Sequence, residues 1–172
     1  MKTLKPPSHC HHNKLKFLLK PMQFIALLFM GIELGVSYSH LMQLPGKAQL
    51  SLPTFIVVQN VLIKYKLGLG IVESGSFLAM LVVLWLCRSN LMFRFTFGAL
   101  SMLVAAYLVW GIFIEPLNTA IDTWTTSYYP TNWTVYRDRW HLFHTARLLL
   151  LTIAMSSLIG SVLIKENYGS KI

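Results

Sequence analysis

The sequence predicts an all-α integral membrane protein: a four-helix bundle with a short interfacial helix or helix extension before the second span. Two observations predict this. Of 172 residues, 55% are hydrophobic and only 12% are charged, outside the range of a soluble domain. The apolar residues also gather into four runs, each long enough to cross a hydrocarbon core of about 30 Å.

Residues 1–20 form a basic tail with Pro6 and Pro7, too poor in apolar side chains to fold alone and expected to be mostly disordered. His9, Cys10, His11 and His12 are zinc-ligand types. Near-adjacent residues wrap one ion poorly, and no second ligand set follows, so a solvated tail without metal is expected. The four-helix domain covers 21–165. Its first span, 22–44, follows a basic flank as a signal peptide would, but it is too long for a signal core and lacks a small-residue cleavage site. A Leu-Pro-Gly-Lys segment then stops the helix and opens a loop from Pro45 to Pro53. Residues 54–66 mix apolar positions with Gln59, Asn60, Lys64 and Lys66, which suits the interface.

The second span is 67–87, and a short connection holding Arg88 and Arg94 leads to the third, 92–114. From Glu115 to Arg139 the chain is polar, and Trp124, Tyr128, Tyr129, Trp133 and Tyr136 mark it as interfacial. The fourth span is 140–164, and 166–172 form a C-terminal tail.

The net charge of +9 could suggest nucleic acid, but no basic stripe with interleaved aromatics appears, so nucleic acid is not an expected partner. The flanks and connections fit a membrane instead. The N-terminal tail, second connection and C-terminus carry nine Lys and Arg, against five (Lys47, Lys64, Lys66, Arg137, Arg139) on the opposite side. Both termini are therefore expected in the cytoplasm. Cys10 and Cys87 then share the reducing side as two unpaired thiols.

Only six acids are present, and three lie within or at the edge of a span: Glu33, Glu73 and Glu115. Charge in hydrocarbon is costly, by about 2.5–3.5 kcal/mol on insertion scales, so these are candidates for function. Helix direction brings them together. Spans one and three end on the side where spans two and four begin, so Glu33, His40, Glu73, Glu115, His144 and Arg147 share one half of the bundle. Spacing gives common faces: Glu33, Ser37 and His40; Arg137, His141, His144 and Arg147; and, if the helix passes Pro116, Glu115, Asn118 and Asp122. One reading is a structural ion pair between Arg147 and Glu33, Glu73 or Glu115 that sets helix register. The other is a polar pocket, because the cluster exceeds what one locking pair requires.

Two stretches carry a resemblance. Pro116-Leu-Asn118-Thr-Ala-Ile, followed by Arg137-x-x-Trp140-x-x-x-His144-x-x-Arg147, is similar to the anthrone oxygenase-like family of small four-helix membrane proteins. Ser39-His40-Leu-Met-Gln-Leu-Pro45-Gly46-Lys47, with Gln59 and Glu73 beyond, looks like a bacterial branch of that group. The resemblance spans roughly residues 30–165 and implies a bacterial inner membrane. It also implies a cofactor-independent oxidation of a flat aromatic or quinone-like molecule by dioxygen. Such chemistry needs a base and a partner for the enolate. His144 is the expected base, Arg147 or Asn118 the enolate partner, and Trp140 a stacking surface. His40, Glu33, Glu73 and Glu115 are expected to line the same site.

Three alternatives remain open. The chain could be a non-enzymatic or proton-linked binder or carrier using Glu33 and Glu73, and as a carrier would need to form a homo-oligomer. It could hold haem between His40 and His144. Or it could be a structural accessory protein. Membrane lipid and a hydrophobic small molecule are the expected partners.

Overall fold

The computed structural model describes residues 9–63, 66–88 and 91–164, with side chains from Phe17 onward except at 62, 63, 66 and 67. The cluster from His9 to His12, Lys64 and the C-terminal tail therefore lie outside the described side chains.

Helix α1 runs His9–Ala48 and carries both Pro21 and Pro45. It starts inside the segment expected to be disordered, because a helix nucleated by its apolar span extends into a flank at little cost. It also runs past Pro45, where the first loop was expected. Proline lacks the N–H that would bond the Leu41 carbonyl and its ring crowds that carbonyl, so the helix crosses Pro45 at the cost of one bond and ends within the same turn, at Ala48. Backbone bonds from Gln49 to Gly46 (3.1 Å) and from Leu50 to Lys47 (3.3 Å) close the turn.

Helix α2, Leu52–Ile63, is the short apolar helix expected before the second span. Helix α3 is Lys66–Leu86 and helix α4 is Met92–Val109. A π-helical turn, Trp110–Ile114, joins α4 to α5, Glu115–Asp122, without a break. The third span was expected to end near Ile114. It continues because the wider turn absorbs the N–H that Pro116 lacks and the clash its ring would cause. Helix α6, Trp133–Leu163, begins seven residues before Trp140, so the aromatic segment read as loop is partly helical.

Four stretches are long and apolar enough to cross a membrane: Phe17–Ala48, Gly68–Leu86, Met92–Asp122 and Trp133–Leu163. The chain is a multi-pass membrane protein. In cross-section the helices run α1, α3, α4, α6 and back to α1, with α3 against α4 the loosest seam. At the end where α6 finishes, Ala26, Ala79, Ala99 and Ala154 lie among Met30, Met80, Val83, Leu103 and Leu158. Small residues let helix backbones approach where lipid supplies no hydrophobic drive. Thr96 and Ser161 add a buried hydrogen bond between α4 and α6 at 2.8 Å. At the other end, α2 and α5 pack together over Phe55, Ile56, Ile114, Ile121 and Trp124.

Candidate functional site

The polar residues form two layers at the α2/α5 end. In the deeper layer, Arg147 of α6 reaches Glu33 of α1 at 3.3 Å and also pairs with Glu73 of α3. Ser76 donates to Glu33 at 3.0 Å. The Tyr107 hydroxyl of α4 donates to the Glu73 carbonyl at 2.7 Å and lies 3.4 Å from Glu33 Oε2. All four spans thus meet in one hydrogen-bonded cluster. Two carboxylates share one guanidinium, so this layer holds an excess of acidic groups. Of the three acids that could have taken Arg147, Glu33 and Glu73 do so, while Glu115 accepts from Asn118 at 3.3 Å.

The second layer is built from rings. His40 and His144 lie twenty residues from Lys20 and Ile164 respectively, each about 30 Å along its helix, which puts both at the edge of the hydrocarbon. Their ring centroids are 4.4 Å apart, and Trp140 is 4.0 Å from His144 and 5.1 Å from His40. The Trp140 indole N–H donates to Asn118 Oδ1 at 2.8 Å, linking α6 through Asn118 to Glu115. Lys47 stands 4.5 Å above the Trp140 ring and donates to Gln59 of α2 at 3.4 Å.

Between the layers lies a cleft of about 110 Å³. Its inner wall is His40, His144, Trp140, Asn118, Arg147 and Glu73. Gln59, with Leu69 and Gly70 of α3 and Trp110 of the π-helical turn, completes its lining. Gly70 is exposed, and nothing stands within 4 Å of where its Cβ would be, so the cleft has its mouth beside α3 at Gly70 and Trp110.

Six of the eight expected site residues, His40, Glu73, Asn118, Trp140, His144 and Arg147, line this cleft. Glu33 lies beneath it through Arg147, and Glu115 sits behind Asn118. Several buried polar atoms around it have no partner in the protein: His40 Nδ1, both ring nitrogens of His144, Gln59 Nε2 and Arg147 Nε. Buried polar groups are seldom left so, because each unmade bond costs about 1–3 kcal/mol.

The expected roles fare differently. Both ring nitrogens of His144 are buried and neither is committed to another side chain. Arg147 is committed to two carboxylates, and the Asn118 amide donates to Glu115, so both are weaker enolate partners than the motif implies. For haem, the residues do not fit: His40 and His144 are in ring contact, with no gap for a macrocycle between them. Among the described residues no group of three or more His, Cys, Asp or Glu side chains is placed to hold a metal ion.

Ser76, Tyr107 and Trp110 were not anticipated. Ser76 is one turn beyond Glu73, and Tyr107 is the one tyrosine of the third span, on the half that otherwise carries no polar side chain before Glu115, which is the signal that could have found it. Arg137, placed on the His144 face by spacing, instead donates to the Ala48 carbonyl at 3.0 Å and pairs with Asp138, capping α1. Compared with family models, curated proteins and solved structures, the chain has no match.

Proposed function

We propose that this membrane protein takes a ring of a lipophilic hydroxyaromatic or quinone-like molecule into the cleft and removes a proton from it through His144, as an oxidoreductase using dioxygen. The observation that carries this is the set of unpartnered polar atoms on His40, His144 and Gln59 around a ring-sized space beside Trp140. A cavity of about 150 Å³ holds a benzene ring, so this cleft suits one ring or part of one, with the rest of a larger molecule at the Gly70 and Trp110 mouth.

In the reaction, a ring C–H or O–H made acidic by a neighbouring carbonyl loses its proton to an imidazole nitrogen of His144. The ring anion then gives electrons to dioxygen. For a methylene between two rings, the balance is one dioxygen consumed, one carbonyl formed and one water released. Trp140 supplies an aromatic wall against which the ring packs.

The test uses the full chain purified in detergent, with anthrone and with single-ring hydroquinones as substrates, and reads oxygen consumption. Uptake that disappears in His144→Ala supports the proposal. No uptake with any of these substrates, or uptake unchanged in His144→Ala, removes it.

A second reading rests on Glu73, which lines the cleft while sharing Arg147 with the buried Glu33. That arrangement suits a binder or carrier whose ligand occupancy is linked to one proton. Binding that releases or takes up a proton in wild type but not in Glu73→Gln, with no oxygen consumed, would favour it.

A further inference from the structure

Lys47 lies only 4% exposed. Among the described residues no carboxylate pairs with it; its contacts are the Gln59 carbonyl oxygen and the face of Trp140. A buried ammonium is stable only with a counter-charge or a full set of acceptors, and here it has one long hydrogen bond and a ring. The acids nearby are committed elsewhere. Glu33 and Glu73 hold Arg147, Glu115 accepts from Asn118, and Asp138 is exposed beside Arg137.

Two further buried side chains at this level have unused nitrogens. Gln59, fully buried, has its Nε2 unpartnered, and an amide nitrogen can only donate. His141, 5% exposed and in edge contact with Trp140, has its Nε2 unpartnered. Charge is therefore sorted by depth: surplus acid beneath the cleft around Arg147, and surplus positive charge with spare donors above it.

Of these three, Gln59 lines the cleft, while Lys47 and His141 adjoin it through Gln59 and Trp140. We infer that Lys47, Gln59 and His141 form an anion-binding subsite adjoining the top of the cleft, which holds the carboxylate or oxyanion of a membrane-dissolved molecule. The source follows from the mouth between Gly70 and Trp110. It lies on the loosest helix seam and at the edge of the hydrocarbon, so an apolar tail can remain in the bilayer while the charged head sits under Lys47. This deepens the reading above by naming an acidic ligand class, and it supplies the oxyanion partner that Arg147 and Asn118 do not. It does not depend on the oxidation.

The test is calorimetry on the full chain in nanodiscs of zwitterionic phosphatidylcholine, with 4-octylbenzoate, its neutral amide 4-octylbenzamide, and tail-less benzoate. None of these offers a proton for His144 to remove from the ring, so the result is separate from that of the oxygen assay. The acid should bind about ten-fold more tightly than the amide or better, as a charge-assisted contact does. Lys47→Met should erase that preference and Lys47→Arg should keep it. Gln59→Leu, which leaves the ammonium in place, should reduce the preference and serves if Lys47→Met does not fold. Equal affinity for acid and amide in wild type, or a preference untouched by Lys47→Met, overturns the subsite. The tailed acid should bind more tightly than benzoate, and Gly70→Trp should weaken the tailed acid alone; equal affinities would overturn the membrane route and leave a water-borne anion.

Discussion

Arg147 and Glu33, 114 positions apart in sequence, meet 3.3 Å apart with both side chains buried. Because Glu73 takes the same guanidinium, the three residues do not behave as equal partners. Removing the cation strands two carboxylates, while removing one carboxylate leaves a neutral pair.

The first prediction follows from that asymmetry. Arg147→Met should destabilise the protein by about 3–5 kcal/mol, the range for orphaning a buried charge. Glu73→Gln should cost about 1 kcal/mol or less, since an amide can still accept from Arg147. Thermal unfolding in detergent, followed by circular dichroism, reads both. Equal losses for the two variants would mean that the charges are not coupled as described. The triple variant Glu33→Gln, Glu73→Gln, Arg147→Met should recover much of the Arg147→Met loss.

A second prediction concerns Gln23, which is buried in the apolar end of the bundle with neither amide atom partnered. Gln23→Met keeps the volume and removes both orphan groups, so it should raise stability by about 1–3 kcal/mol. An unchanged or lower unfolding temperature would show that the amide has a partner.

Two glycines on α3 give a contrasted pair. A Cβ on Gly75 would stand 3.0 Å from the Phe29 ring of α1, whereas one on Gly70 meets nothing within 4 Å. Gly75→Ala should therefore cost about 1–3 kcal/mol by forcing Phe29 and α1 outward. Gly70→Ala should leave stability unchanged within about 1 kcal/mol or raise it slightly. The order of the two unfolding temperatures is the check, and a reversed order would contradict the α1–α3 packing.

The indole of Trp140 predicts a non-additive pair. Asn118→Leu leaves a buried N–H without its acceptor and should cost about 1–3 kcal/mol, while Trp140→Phe removes the donor and frees the Asn118 oxygen. The double variant should cost less than the two singles together, by about 0.5–3 kcal/mol. Strict additivity in a double-mutant cycle would show that the bond contributes nothing.

Four apolar runs and the gathering of Glu33, His40, Glu73, His144 and Arg147 at one end were legible in the sequence, because span length and helix direction fix depth. Rotation was not. Which acid takes Arg147 depends on how each helix turns about its axis, and spacing within one helix says nothing of its neighbour. Helix ends were also misjudged. Tyr136 and Arg137 suit an interfacial loop by composition, yet a helix that leaves the hydrocarbon can continue through such residues, as α6 does from Trp133. Lys47 belongs by composition to a loop opened at Pro45, on the side opposite the termini; continuation of α1 to Ala48 buries it instead.

The π-helical turn at Trp110–Ile114 acts on everything that follows it. Inward positions along α4 repeat every three or four residues through Thr96, Ala99, Leu103 and Ala106, and the next fully buried position is Ile114, eight residues on. Two ordinary turns would advance only about seven residues, and one ordinary plus one wider turn advance eight. The turn is therefore a phase correction of a single residue. Deleting one residue from it would restore a regular helix with Ile114 and Asn118 still inward, whereas winding the same residues as an unbroken α-helix would swing the exposed Phe113 into the bundle and turn Asn118 away from Trp140. Spacing in the third span is thus counted from two origins, one for the apolar end and one for the site.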